Sequence, residues 1–450
     1  MDKLFIKGLA EIFLAISSQV IEKFNISLKS SHLDSTSLHL HGEYNNSLPN
    51  VIIHNNSSNS EIESPRPIEI TYGYSRDHRP DLKQFIIDLI SSGDGDVPIF
   101  LKTASGNQSD SSSFAKIFLE YKEQMQKEEI KNEDSLMVAD AALYNAKNIS
   151  SLSGTKWLCR VPMTIGLAKD VVSTLLSPDF ISSSLTGYYY SVVKSNYGGV
   201  EQRWLVVEST ERKESDLRQL EKRISKSKNS ASDKLKKLLN SKFNSRDCAV
   251  KAVDNLNKKL KYHQIDNISY FERESDNKKD KINFYQVDAS LSENINAIKI
   301  AYQSAGRFVL ATNILDEKSL SNDEMLSEYK AQQSCERGFG FLKDPLFFAD
   351  SIFLKSPERI EAMAMIMGLC LLVYTLAQRQ IRKALSAAES TIKNQLGKSV
   401  NNPTMRWIFQ CFQSIHLVEF DDEISISNLT EERKYILSFL PKNCSYYYKC

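Results

Sequence analysis

The stretch EYKAQQSCERGFGFLKDP, residues 328–345, places an acid among groups that could assist it. On a continuous α-helix each residue advances about 100°, so Tyr329, Gln332, Glu336 and Lys343 fall within about 60° of arc. One face would then carry a hydroxyl, an amide, a carboxylate and an ammonium. Phe339 and Leu342 fall on the adjoining sector and would pack that face down. Gly338 and Gly340 each cost about 1 kcal/mol against Ala in a helix interior, so tertiary packing must hold such a helix. Taken alone, the segment reads equally as an amphipathic helix with incidental polar residues. Two aspartates upstream change its meaning: Asp34 in LDSTSLHL and Asp140 at the end of DSLMVAD. Two Asp from neighbouring strands and a Glu from a packed helix would suit a hard divalent ion such as Mg²⁺, which takes few carboxylates and keeps several waters. Two such ions about 3.5–4 Å apart serve phosphoryl chemistry.

The elements that must position these residues can be read from the apolar pattern. Residues 1–24 read as an amphipathic helix, with Glu11 inside the apolar run and no cleavage site for a signal peptide. Residues 26–42 alternate as a strand, and 45–66, rich in Asn, Ser and Pro, read as a loop. LKQFIIDLI (82–90) and VPIFLKTA (97–104) read as strands joined by SSGDGD, whose Asp-Gly is a hairpin signal. A helix is expected over 111–130, a short strand over 134–144 ending in Asp140, and a fifth strand over 155–162. The order strand, strand, strand, helix, strand predicts an α/β fold with a mixed sheet. Residues 188–300 break that rhythm with a hairpin around Gly198 and Gly199, a Lys-rich segment and further strand-like pieces. GRFVLATN (306–313) resumes the strand pattern, and an apolar helix follows near 358–386.

Bulk properties narrow the class. The 450 residues are 41% hydrophobic and 25% charged, with a net charge of +1, as in an ordinary globular protein. Any nucleic-acid surface must therefore come from local segregation of charge. Residues 211–262 supply it, with 16 Lys/Arg against 7 Asp/Glu, although a solvated Lys-rich face reads equally well. The seven scattered cysteines show no paired spacing, which points to reduced thiols in a cytosol-like compartment. The apolar run 362–377 has 16 residues, short of the roughly 20 that span a bilayer, and reads as a buried helix with no membrane partner.

Several signals point elsewhere and are weaker. RDHRPD (76–81) could hold phosphate through Arg76, His78 and Arg79, or could be a loop tied by ion pairs. His32, His39 and His41 lie near Asp34 but lack cysteine partners or helical H-x3-H spacing for zinc. LGKS (396–399) lacks the earlier Gly of a phosphate-binding loop, having Ile392 there, and GFGF (338–341) follows no strand.

The chain resembles the DDE transposases of bacterial insertion sequences. The branch it is similar to carries a β-rich insertion before the catalytic Glu and the signature Tyr-x2-Arg-x3-Glu-x6-Lys. That spacing here reads Tyr329, Gln332, Glu336, Lys343, with Gln where the signature has Arg. LDSTSLHLHGEY (33–44), TYGYSRDHRPDLKQ (71–84), VADAALYNAKNI (138–149), FLKSPERIEAM (353–363) and PTMRWIFQCFQSI (403–415) resemble the same branch, so the likeness runs from about residue 2 to the C-terminus. It implies a ribonuclease H-like mixed sheet flanked by helices and interrupted by the insertion. The divisions expected are an N-terminal helix (1–25), the first part of the core (26–187), a β-rich and basic insertion (188–313), the second part of the core (314–390) and a C-terminal region (391–450).

The resemblance also implies roles. Asp34, Asp140 and Glu336 would be catalytic and hold two Mg²⁺ or Mn²⁺ ions. Tyr329 and Lys343 would touch DNA phosphate near the cleaved end, with Arg337 and Arg79 as further DNA contacts. Gln332 would anchor phosphate less firmly than Arg, having neither its charge nor its bidentate fork. Trp204 in the insertion is a candidate stacking platform for a flipped base, a core Trp on a hairpin being the other reading. The implied activity is DNA end cleavage and strand transfer at terminal inverted repeats, by a homodimer on DNA in the bacterial cytoplasm at the nucleoid. A non-transposing nuclease of the same fold, or a shortened remnant that only binds DNA, are the alternatives. Only 33 residues precede Asp34, so the DNA-binding region usual in this branch is expected to be missing.

Overall fold

A computed structural model describes residues 1–44, 66–75, 77–130, 134–274, 283–344, 354–420 and 423–448. Arg76 and all but the last residue of the loop expected over 45–66 lie outside the described residues. The chain opens with helices α1 (Asp2–Lys7) and α2 (Leu9–Phe24), divided at Gly8, whose φ of 94° a residue with a side chain adopts at a cost. Strands β1 (Ser30–Leu40), β2 (Lys83–Ser92) and β3 (Pro98–Ser105), helix α3 (Asp110–Lys127) and strand β4 (Leu136–Ala139) follow in the expected order. Helix α4 (Ala146–Ser151), β5 (Trp157–Val161) and α5 (Gly166–Thr174) complete the first part.

Then come β6 (Ile181–Ser182), β7 (Tyr188–Tyr197), β8 (Val200–Ser209), α6 (Thr210–Leu239), α7 (Arg246–Asn257), β9 (His263–Glu274), β10 (Asn283–Glu293), α8 (Ile295–Ser304) and β11 (Arg307–Thr312). The rest is α9 (Asn322–Ala331), α10 (Gln333–Leu342), α11 (Pro357–Ala387), β12 (Ile392–Lys393), β13 (Ser399–Val400), α12 (Met405–Phe412), β14 (His416–Phe420), β15 (Glu423–Ser427), α13 (Glu431–Ser438) and α14 (Lys442–Tyr446).

Among the described residues, nine strands form one mixed sheet in the order β3-β2-β1-β4-β5-β11-β8-β7-β6. β1 runs antiparallel to β2 and parallel to β4, and β4 parallel to β5. Helices flank this sheet, so the fold is the α/β, ribonuclease H-like arrangement expected. Residues on β7, β8 and β11 continue the sheet past β5 rather than standing apart from it. β7 and β8 meet at Gly198 and Gly199, both with positive φ (63° and 77°), the turn that suits the twist of a two-residue hairpin. The basic stretch 211–262 folds mainly as α6 and α7, which share a small core with β9 and β10 around Leu235, Ala249, Val253, Ile265 and Val287.

β1 is central, and its polar residues are buried along with its apolar ones. Leu33 and Ala139 lie on one sheet face, with Phe114, Phe118 and Tyr121 of α3 in the same core. Val138, Leu158 and Leu310 lie on the other, beside Met325 and Leu326 of α9. Helix α11 has 31 residues and is long and apolar enough to cross a membrane, yet Ile360, Ala364, Met365, Leu371 and Leu372 sit in the main core. It serves as the buried helix expected. Its Gly368 lies where an added Cβ would come within 2.4 Å of Leu101 Cδ1 and 3.0 Å of Phe13. Only a bare backbone lets α11 sit this close to β3 and α2.

The turn between β2 and β3 is clamped to α11. Arg379, almost fully buried, donates to Asp94 from Nε (2.9 Å) and Nη2 (2.5 Å), and to the Phe24 and Asn25 carbonyls at the end of α2. Gly95 has φ 86°, and a Cβ there would lie 2.6–2.8 Å from the Arg379 side chain. The Asp-Gly that signals the hairpin is therefore also what admits the arginine. Burial alone would raise the Asp94 pKa, but hydrogen bonds from Arg379 and the Ser27 N–H, with the charges of Arg379 and Lys383, hold it at about 2. A depressed carboxylate pKa stabilises the fold above its unfolded value of 3.8 and ceases to as pH falls toward 2. Asp94→Asn leaves a buried guanidinium without its counter-charge, which costs about 3 kcal/mol at neutral pH. Urea unfolding should show that deficit at pH 7 and a narrowing gap to wild type from pH 4 down to pH 2.

Candidate active site

Parallel pairing aligns Leu33 with Ala139, and the next residue on each strand is Asp34 and Asp140. In a parallel pair, residues in register point to the same face, and neighbouring strands lie about 4.8 Å apart. The two carboxylates therefore stand side by side on one sheet face, Asp34 within β1 and Asp140 just past the carboxyl end of β4. Each is braced by backbone: the Ser35 N–H donates to Asp34 Oδ1 and the Ala142 N–H to Asp140 Oδ1, both at 2.8 Å. Asp34 is buried and Asp140 half-buried.

Glu336 lies on α10. A cleft of about 530 Å³ is lined by Asp34, Asp140 and Glu336 together, with Tyr329, Gln332, Arg160 and Lys330 on its walls. Phe339 and Leu342 are buried in the main core, as expected of the side that packs down. Gly338 lies against α11, where an added Cβ would be 3.2 Å from Leu371 Cδ2, whereas Gly340 has open space around it.

One expectation is corrected. The segment is not one helix with four polar residues on a single face: α9 ends at Ala331 and α10 begins at Gln333. The Gln332 N–H bonds the Tyr329 carbonyl at 3.2 Å, a tight i→i−3 bond that resets the helical phase. Tyr329, before the break, packs on Phe308 with ring centroids 6.2 Å apart. Burial raises its phenol above the ordinary value, with Arg160 nearby acting in the opposite sense. Gln332 is buried, and its Nε2 donates to the Leu33 carbonyl at 3.3 Å, next to Asp34. Glu328, one turn earlier on α9, pairs with buried His32 of β1 at 3.4 Å, and that contact lowers its pKa despite burial. These two contacts seat the α9–α10 junction on β1.

The remaining predicted residues lie apart from the cleft. Lys343 caps α10 and pairs with Asp77 at 3.0 Å, holding the Asp77 carboxyl below its usual range. Arg337, 67% exposed, pairs with Asp96 of the β2–β3 turn at 3.3 Å. Arg79 is paired with Asp81 at 2.8 Å, so the RDHRPD stretch is at least partly the tied loop. Trp204 is 0% exposed in the core, its Nε1 donating to Gln202 Oε1 at 2.9 Å. A buried ring offers no face for stacking, so the structure holds the core position and not the platform.

Three cations of the cleft were not singled out in the sequence. Arg160 and Arg212 lie over the Phe308 ring (5.6 and 5.9 Å), and Lys330 over Tyr188 (4.1 Å). They come from β5, α6 and α9, so no sequence window contains them together. The cleft thus holds carboxylates and ring-stacked cations together, and Glu211 and Asp216 of α6 also line it, Asp216 lying 3.5 Å from Arg212. Its donor set suits a hard divalent ion, being carboxylate oxygens with room for water. Among the described residues, no three His, Cys, Asp or Glu side chains close on one point as a ligand set, so waters would supply much of an ion's coordination.

No protein-family model and no curated protein matches the sequence. Among solved structures, the chain is similar to a cryo-EM structure of the piggyBac transposase synaptic complex with hairpin DNA, at 8% identity and TM-score 0.36, over 92% of this chain and 58% of that one. It is also similar to the Mos1 transposase paired-end complex with left transposon end (7% identity, TM-score 0.18, 33% of this chain and 40% of that one). A Mos1 mariner paired end complex with Mn gives 6% identity and TM-score 0.17, over 32% of this chain and 39% of that one. The chain spans less than two thirds of the length of each. Similarities of this degree assign no residue a role.

Gln332→Ala removes the donor to the Leu33 carbonyl, and a buried acceptor left unsatisfied costs about 1–3 kcal/mol. Chemical denaturation of the purified variant should show that loss. An unchanged midpoint would mean that the junction is held without this bond.

Proposed function

We propose that the chain is a DNA transposase that cuts the ends of an insertion sequence and joins them to target DNA. The observation that carries this reading is that Asp34, Asp140 and Glu336 line one cleft, two from adjacent strands and one from a helix packed over them. When bound, two divalent ions, Mg²⁺ or Mn²⁺, would activate an attacking oxygen and neutralise charge on the leaving one. Asp34, Asp140 and Glu336 would hold them. Because the backbone N–H groups of Ser35 and Ala142 fix Asp34 and Asp140, little reorganisation is needed on binding. Arg160, Arg212 and Lys330 would draw the phosphodiester backbone toward the acids, and the rings beneath them would keep the cations in place. Water would be the first nucleophile and the freed 3′-OH the second, with no covalent protein–DNA intermediate.

Strand transfer, beyond cutting, rests on the motif resemblance at Tyr329, Glu336 and Lys343, and a non-transposing nuclease remains the second reading. Two copies, one for each end, would act together. Asp140→Asn should bind DNA as wild type does and lose Mg²⁺- or Mn²⁺-dependent cleavage by at least about 100-fold, measured on a labelled duplex. Unchanged cleavage would sink the assignment. Joining of a pre-cut end to a second duplex separates a transposase from a nuclease, since only the former gives the joined product.

A further inference from the structure

β1 carries Asp34 and α10 carries Glu336, and a residue outside both elements touches each of them. Asp77, in the loop before β2, has its Oδ2 3.0 Å from Lys343 Nζ at the end of α10 and 3.5 Å from His39 Nδ1 on β1. The other ring nitrogen of His39, Nε2, lies 2.9 Å from Ser75 Oγ, which also accepts the Arg79 N–H at 2.8 Å. His39 thus seats this loop on β1, and the loop in turn holds Lys343. Lys343 comes seven residues after Glu336, and His39 five residues after Asp34.

Together with Gln332, this gives α10 two fixed points along the strand. At one, Gln332 Nε2 donates to the Leu33 carbonyl at 3.3 Å. At the other, Lys343 reaches His39 through Asp77. Residues 332–343 span about 16 Å of helix, and residues 33–39 about 20 Å of strand. The two ties therefore match in spacing and set helix and strand running the same way. Glu336 stands between them and is exposed, so its place follows that of the α10 backbone. The apolar contacts of Phe339 and Leu342 have no direction, and they leave a short helix with two glycines free to slide or roll. A carboxylate that ligates a metal must be placed within about 0.5 Å. Two further ion pairs, Arg337 with Asp96 at 3.3 Å and Arg406 with Asp344 at 2.6 Å, tie α10 and the residue after it to the β2–β3 turn and to α12. Neither involves β1.

We propose that Asp77 is a positioning residue for Glu336, holding α10 in register with β1 by taking Lys343 and His39 together. Lys343 then serves as a strut inside the protein, its ammonium committed to Asp77 rather than to a DNA phosphate. A part-exposed ion pair adds little to global stability. Its effect falls on α10, whose ten residues open more easily than the core does. This rests on the reading of Glu336 as a metal ligand.

The test is Mn²⁺ binding, read from the electron paramagnetic resonance of the free ion, together with amide hydrogen exchange over α10 read by mass spectrometry. The full chain is compared with Asp77→Asn, Lys343→Met, the double variant Asp77→Lys with Lys343→Asp, Asp81→Asn and Asp140→Asn. Asp77→Asn and Lys343→Met should each weaken Mn²⁺ binding about threefold to fivefold and speed α10 exchange by a similar factor, with the thermal midpoint unchanged. The double variant, which restores the pair with its charges exchanged, should restore both. Asp81→Asn breaks the Arg79 pair of the same loop, which is at least as exposed, and should change neither. A DNA-contact role for Lys343 gives a different pattern: Mn²⁺ binding and exchange stay normal, and duplex affinity falls in Lys343→Met and is not regained in the double variant. That result overturns the strut. A drop in thermal midpoint that the double variant does not reverse marks a merely structural role and overturns it as well. If Asp140→Asn binds Mn²⁺ as wild type does, the metal reading falls and exchange alone decides the strut. Protection lost in the single variants and regained in the double then keeps it, and unchanged protection removes it.

Discussion

The parallel pairing of β1 with β4 is the constraint on which the site depends. Side chains alternate faces with a period of two, so a slip of one residue would send Asp34 or Asp140 to opposite sides of the sheet. The register is held by what surrounds it. Leu33 and Ala139 share one buried face, and His32 and Val138 the other, so a slip would exchange apolar and polar partners along the whole pair. β1 carries Ser, His and Asp in a largely buried strand, and several of them meet a specific partner. Ser31 lies 3.3 Å from Ser135, His32 faces Glu328, and Ser35 bonds Asp88 across to β2.

Those same polar contacts carry the third acid. Helix α10 is only ten residues long, with two glycines, too short to be stable by itself in water. It stays where Gln332, Phe339, Leu342 and Gly338 seat it: one hydrogen bond to β1, two apolar side chains in the core and one bare backbone position against α11. Glu336 lies between these anchors, on the side they leave to the cleft. The break at Gln332 is part of the arrangement, since α9 is aimed by Glu328 at His32 and α10 by its own apolar face at Leu371 and Leu89.

Much of this was legible from residue pattern. Strand alternation, the Asp-Gly hairpin, the α3 periodicity and Asp140 at the end of an apolar strand all follow from local rules, and the structure keeps them. The sequence could not show the phase break at Gln332, because Gln is a good helix former and nothing in 328–345 announces an i→i−3 bond. At that break the Gln332 side chain bonds the carbonyl of Leu33, some 300 residues earlier in the chain. The same holds for the cation-lined wall. Arg160, Arg212 and Lys330 meet only because β11 and β8 extend the sheet beyond β5 and bring α6 to its rim. Trp204 misled for a related reason: a hairpin Trp looks available until the hairpin proves to be an inner strand pair of a nine-stranded sheet.

Around Asp34, β1 is polar on both faces, and the two faces are polar in different ways. One offers carboxylates with arginine and lysine among them. The other offers uncharged donors and acceptors over Ile86. Ser35 and Ala142 join the two, each giving its N–H to a carboxylate on one side while lining a cavity on the other. The lining of one cavity and the bracing of the carboxylates in the other share these two peptide groups.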